Sequence, residues 1–480
     1  MAFPGTFVFS MPAVIGGGAG GLVGPEFWHA GAYTTGAEAG TIIYPGTVEV
    51  DSTGNVYILS GHFENANYGT DDAAFVLTKL NAVGEFQWHK IIDGPLAGGS
   101  DGVSVYDKGQ CIAIDADDNV IFAQSCRDDR STTSYHTGFV TKISPEGAII
   151  WQKIQNPGSS TKHSRAYAVT VDQSTNDIYV CGYTNGTGAV SGSASYVTKY
   201  NSSGTQQWVR IFGNSAGTDI AYGIGLDTNG DVLVSGQWDS PHGGFVAKLS
   251  KSTGAITWSK STGDTSNPKL YTNMAMDGDD PVMVGHNQQN ATATSGYDIW
   301  TVKYNNAGTY QWGRLLGGTA SENGLAIATD DSGNVYVGGS NLSDVAHTSV
   351  TQTVLLAKYN SSGTIQWQKR ITADNNAVNT NQVTSIKIHN DSILFTILSG
   401  NGIGNWAIQV IKLPLDDTLW PSTIGDWSIA TSALTAKSAA TTNGSITYTN
   451  QSSGITTNDG ALVISDPALA FAEESYEISI

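Results

Sequence analysis

The residues best suited to hold a ligand fall in one class of segment. His62, Tyr68, Tyr135, His136, Tyr183, Trp238, His242, His286, Tyr297 and His347 lie in polar stretches that differ in length and content from one copy to the next. Five of the nine histidines are in this class. Tyr and Trp supply contact area at low entropy cost, and the Asn, Ser and Thr around them hydrogen-bond adaptably. That chemistry is recognition of a glycan or a protein. The plain alternative is ordinary solvated loop polarity.

Catalytic sets are harder to find. A glycosidase requires two carboxylates across a pocket. A sialidase-like site also requires clustered arginines, and the chain has six Arg. Arg210, Arg314 and Arg370 sit at repeat positions, while Arg127, Arg130 and Arg165 could share one face. No Ser/His/Asp spacing, phosphate-binding glycine loop or Cys/His metal spacing is visible. Asp115-Ala-Asp-Asp-Asn and Asp277-Gly-Asp-Asp-Pro place oxygen ligands at alternate positions, but neither has the closing glutamate of a calcium loop. The reading is non-enzymatic, with no metal and no cofactor. The histidines come from different repeats, so a shared ion is not expected.

Those stretches are held by a repeat. In Gly324 to Arg370, two alternating apolar runs flank an Asp-x-x-Gly-Asn turn, and two more flank an Asn-x-x-Gly turn. Period-2 runs around tight glycine turns read as two β-hairpins, hence four antiparallel strands. A Lys after the third run recurs as Lys79, Lys142, Lys199, Lys248, Lys303, Lys358 and Lys412. A fourth-run Trp recurs as Trp88, Trp151, Trp208, Trp258, Trp312 and Trp367. The Asp opening the first turn recurs as Asp51, Asp115, Asp172, Asp227, Asp277 and Asp330, and a degenerate seventh copy has Asn390-Asp391 there. Seven units of about fifty residues predict an all-β, seven-bladed β-propeller of four-stranded antiparallel blades. The repeated Asp is expected to cap its turn, the Trp to pack between blades, and the Lys to make structural pairs.

Residues 1–46 read as a Gly-rich arm, 47–420 as the propeller and 421–480 as a Ser/Thr/Ala-rich β appendage or assembly arm, the alternative being a flexible tail. Phe7 to Gly24 is uncharged, lacks the basic start of a signal peptide, and is too glycine-rich for a membrane span. Gly24-Pro-Glu-Phe-Trp-His resembles the fourth run Gly84-Glu-Phe-Gln-Trp-His, so it can complete blade seven as a clasp and remove an open edge. The alternative gives blade seven its own last strand at Trp420. A net charge of -19 excludes a nucleic-acid groove or an anionic membrane surface. Cys111, Cys126 and Cys181 read as small buried thiols, with one disulfide plus an odd thiol as the alternative.

The unit Asp-x-x-Gly-Asn-x-Tyr-Val-x-Gly … Lys-Tyr-Asn-x-x-Gly-x-x-x-Trp, over about residues 47–413, resembles the SBBP-type propeller repeat. The resemblance implies a display scaffold like those of bacterial surface or secreted proteins and of marine bacteriophage structural proteins. It brings no catalytic residues. Thr253-Gly-Ala-Ile-Thr-Trp258 also resembles the tryptophan-docking element of quinoprotein propellers, which usually have eight units and carry a vicinal Cys pair. The resulting expectation is a virion structural or recognition protein, in a bacteriophage tail or particle surface. Its termini would engage other virion proteins, in an oligomeric or larger assembly. Its variable face would meet a host-surface glycan or protein. A secreted bacterial surface-binding propeller is the alternative, and a glycan-active or quinoprotein-like enzyme the third.

Overall fold

The computed structural model describes residues 6–10, 28–35, 42–63, 73–92, 111–128, 135–156, 163–185, 192–213, 217–239, 242–262, 269–287, 296–342, 352–373, 380–400, 406–424, 427–432, 434–438, 443–445, 456–459 and 464–465. The alternating runs form seven antiparallel sheets, the blades of a propeller. Blades 1 to 7 occupy residues 42–92, 112–156, 164–212, 220–262, 269–317, 322–373 and 380–414. Each blade face buries its apolar residues against the next blade. Tyr57, Leu59 and Phe75 of blade 1, for example, share one core with Ile112, Phe122 and Phe139 of blade 2. Among the described residues no helix is long and apolar enough to cross a membrane.

The repeated polar residues lock the turns. Asp330 Oδ1 accepts the N–H groups of Ser332 (3.0 Å) and Asn334 (2.9 Å), and Oδ2 accepts from the Tyr336 hydroxyl (2.9 Å). Gly333 closes that turn at a φ of 75°, which a side chain would strain. Lys142 reaches Asp115 at 2.6 Å, Lys248 reaches Asp227 at 2.7 Å, and Lys303 meets Asp277. In the two Asp-rich turns weighed for calcium, the first carboxylate therefore faces a lysine ammonium. The Trp indoles join successive blades. Trp208 donates to the Lys251 carbonyl (3.0 Å), Trp258 to Asn306 (3.0 Å) and Trp312 to Ser361 (2.9 Å).

One irregularity recurs. In blades 1, 3, 4, 5, 6 and 7 the innermost strand carries an extra residue near its start. The bulge pushes a carbonyl against the second strand. A Cβ on Gly182 would lie 1.8 Å from the Arg165 carbonyl oxygen, and one on Gly339 would lie 1.8 Å from that of Asn323. This explains the glycine that ends the Tyr-Val-x-Gly motif. Residues 1–46 read as the arm and 47 as the start of the propeller; the first strand of blade 1 runs Ile42–Val50, with Pro45-Gly46 at its bulge. A bulge tolerates a residue with no N–H to offer.

Closure uses the N-terminal segment. Trp28–Thr35 pairs with Trp406–Pro414 and sets Trp28 opposite Lys412, as Trp208 stands opposite Lys199. Trp420 belongs to no blade strand; it donates to the Pro414 carbonyl (2.7 Å) and packs edge-on against Trp367. Val48, Val50 and Ile58 of blade 1 pack on Leu394, Leu398 and Val410 of blade 7, and the Thr384 hydroxyl donates to the Gly46 carbonyl (2.7 Å). The described strands of residues 421–480 lie along outer blade edges. Trp427–Thr431 pairs with blade 6, Thr435–Ser438 with blade 5, Asn443–Ser445 with blade 4, Thr456–Asp459 with blade 2 and Ile464–Ser465 with blade 1. Thr6–Ser10 adds in the same way to the clasp strand on blade 7.

Candidate recognition site on the variable face

Antiparallel strands send the tight turns to one end of the ring and the long links to the other. At the tight-turn end an axial concavity of about 610 Å³ is lined by the ends of the innermost strands and by the turns at Asp172–Ser174 and Asp227–Gly230. Its lining includes Lys387, which pairs with Glu49 at 2.6 Å, and Asp227, which is bound by Lys248. Its charged groups answer one another, so it offers little to a charged ligand.

The other end gathers a different set. The innermost strand of blade 3, Ser164–Val171, is fixed to blade 2 at its start: Ser164 Oγ donates to the Gln155 carbonyl (2.5 Å) and accepts from the Gly138 N–H (3.0 Å). Next to it, His163 is clamped on three sides. Its N–H donates to Asn185 Oδ1 (2.6 Å), its carbonyl accepts from the Thr184 hydroxyl (2.9 Å), and its Nδ1 accepts the His136 N–H (3.1 Å). The His136 and His163 rings are stacked at 5.7 Å, and Arg127 lies opposite His136 in the blade 2 register.

Two consequences follow for His163. An Nδ1 that accepts a backbone N–H carries no proton, so the proton of the neutral ring is on Nε2. Partial burial, and then the Arg165 charge, lower its pKa below the ordinary histidine value. This imidazole is a fixed neutral donor.

Arg165 stands on the same strand with its guanidinium 5.9 Å from the Tyr183 ring. Tyr183 stacks on Tyr167 at 5.9 Å and 19°, and Tyr167 meets Tyr222 of blade 4 at 5.0 Å. Tyr167 and Tyr222 are both bulge residues, so the irregularity turns them toward one another across the blade boundary. Burial raises both phenols well above the ordinary tyrosine value. The site joins residues of blades 2, 3 and 4.

Of the residues expected at this face, His136 and Tyr183 belong to the cluster. His286 and Tyr297 form a separate edge-to-face pair on blade 5, at 5.1 Å, with Tyr297 38% exposed. His62, Tyr135 and His242 end their strands at this face, opposite Ala74, Asp128 and Asp239. Tyr68 and His347 lie outside the described residues. Trp238 is 5% exposed and packs with Val232, Val234 and Phe245 between blades. Of the cysteines, Cys111 and Cys181 are buried free thiols, and burial pushes the Cys111 thiol up to about 11.

The sequence reading did not single out His163, Tyr167 or Tyr222. Their signal was the shared repeat position of Ala166-Tyr-Ala and Ala221-Tyr-Gly.

Residues 207–237, from the outer strand of blade 3 through the first hairpin of blade 4, match the SBBP beta-propeller repeat family. The fold is a seven-bladed β-propeller, and one of its repeats matches that family. No curated protein matches this propeller. Among solved structures it is similar to the polysaccharide lyase Uly1, at 11% identity and a TM-score of 0.46, over 78% of this chain and 90% of that one. It is also similar to CoXyl43, a GH43 beta-xylosidase/alpha-arabinofuranosidase from a compost microbial metagenome, at 11% identity and 0.31, over 69% of this chain and 97% of that one. A xylan beta-1,4-xylosidase from Bacillus halodurans C-125 follows at 8% and 0.27, over 90% of this chain and 96% of that one. Likeness this distant carries no function across.

Proposed function

We propose that the propeller is a non-enzymatic recognition protein that meets a cell-surface glycan or protein through its variable face. The observation that carries this reading is the assembly of Arg165, His163, His136 and Tyr183 at one end of the ring, backed by the buried Tyr167 and Tyr222 across the next blade boundary. At the other end, polar groups answer one another within the turns and between neighbouring turns. Variable loops on a rigid scaffold are where binding concentrates. His163 has its Nδ1 engaged and its pKa lowered by burial, and burial makes Tyr167 and Tyr222 hold their protons more firmly than free tyrosine.

The test is binding of the labelled chain to bacterial cells and to a glycan array. Tyr183→Ala is expected to lower the signal about tenfold, while Ser332→Ala, on the opposite face, leaves it unchanged. The reverse pattern sinks the proposal. The setting proposed is a virion, in a bacteriophage tail or particle surface. Mass spectrometry of purified particles tests that setting; a chain found only in the culture supernatant points to the secreted alternative.

A second reading, a glycan-active enzyme, draws on the closeness of two histidines, a tyrosine and an arginine in the same cluster. Release of new chain ends from a polysaccharide by the wild-type chain, lost in Tyr183→Phe, would favour it.

A further inference from the structure

We infer that the blade 2–4 sector of the variable face takes an acidic polysaccharide, whose carboxylate or sulfate oxygens are held by Arg165 and His163 while Tyr183 supports a sugar ring. This rests on the recognition reading above and adds the charge class of the ligand.

The argument begins with donors. A guanidinium presents N–H groups in a planar fork that matches a carboxylate or sulfate edge. Arg165 is partly buried and lies beside the Tyr183 ring, which limits its freedom before any ligand arrives. His163 adds an Nε2–H whose position is set from behind by the His136 N–H. A donor that is fixed and neutral favours an oxygen acceptor without repelling a neighbouring guanidinium.

The second element is shape. Tyr183 is the partly exposed ring; the buried Tyr167 and, across the blade boundary, the buried Tyr222 back it with centroid steps of 5.9 and 5.0 Å. A flat ring at the edge of an anion-binding pair suits a pyranose with a charged substituent. A sugar offers an apolar C–H face to the ring and its oxyanion to the donors.

The third is the charge of the whole chain. At -19 it repels polyanions at long range, so an acidic glycan has to be held by the local donors against that background.

The experiment is calorimetric titration of the full chain with polygalacturonate, dextran sulfate, neutral dextran and poly-glutamate, with melting temperature recorded for every variant. Binding of polygalacturonate or dextran sulfate without dextran or poly-glutamate is expected, and which of the two binds identifies the anion. Arg165→Ala should weaken it at least tenfold and His163→Gln several-fold. Arg210→Ala, on the outer strand of blade 3, should leave it unchanged. If Arg165→Ala lowers the melting temperature, Arg165→Lys carries the test, because it keeps the charge and loses the fork; several-fold weakening supports the inference and full retention overturns it. Equal binding of dextran, or preference for poly-glutamate, overturns the acidic-glycan inference and leaves the recognition reading standing. No binding to any of the four, with cell binding still lost in Tyr183→Ala, overturns it in the same way. Loss of cell binding only in tight-turn variants would remove both.

Discussion

Arg165 and Asp172 lie at opposite ends of one strand in blade 3, and their surroundings differ in kind. Asp172 Oδ1 accepts the N–H (2.9 Å) and hydroxyl (2.6 Å) of Ser174, two residues on. Its partners are local and come with the turn. Arg165 is surrounded by groups from His136 on blade 2 to Tyr222 on blade 4, brought there by packing of separate sheets. Groups answered within one turn stabilise the fold. Groups assembled from three blades have been placed by the whole ring. The contrast is one of local against ring-wide placement.

The contrast can be broken by substitution. The largest effect is expected at Gly339→Ala, whose new Cβ would meet the Asn323 carbonyl at 1.8 Å. Backbone must move, and stability should fall by at least about 3 kcal/mol, read as a lower urea midpoint. A midpoint within error of wild type would show that the bulge is not a fixed frame. Next is Asp330→Ala, which strands two turn N–H groups and the Tyr336 hydroxyl. A loss of roughly 2 kcal/mol is expected with ligand binding intact. Tyr183→Ala should do the opposite, lowering binding about tenfold with a small shift in melting temperature, and comparable losses of both would merge the two faces.

The smallest effect is a pH signature. Burial alone would raise the carboxyls of Asp51, Asp172, Asp227 and Asp330, but hydrogen bonds to their turns, with Lys248 at Asp227, outweigh it and hold them below the ordinary value. Their contribution is present above pH ~4 and is lost as pH falls through the depressed folded values. His163 and His389 are lowered by burial first and by nearby cations, so the unfolded chain binds protons that the folded one refuses. Stability therefore falls as pH drops below ~6.5. Melting curves from pH 7 to 3 should show two steps, with His163→Gln shrinking the upper one alone. An unchanged upper step in that variant would detach His163 from it.

The ring was legible because its markers are periodic. Lys, Trp and Asp at fixed offsets set the register of every blade, and Trp28 was readable as a fourth-strand Trp by likeness to Trp88. Trp238 was legible too, since Val232, Val234 and Trp238 share strand parity and therefore one face. Its loop-like neighbours hid this. The Tyr167–Tyr222 contact was not legible, because a bulge resets the parity on which alternation depends. That the C-terminal strands dock on outer blade edges was not legible, for another reason. Strand addition is main-chain chemistry, so a Ser, Thr and Asn-rich segment can do it without an apolar pattern.

Those edge strands visit the blades in the order 6, 5, 4, 2, 1, against the direction in which the ring was laid down. During synthesis the propeller is complete up to Pro414 before any of them has emerged. Until then the outer edges of these five blades are bare, each a template for another chain. Chains that end before residue 427 are therefore expected to self-associate more readily than the full chain, a difference that light scattering would read.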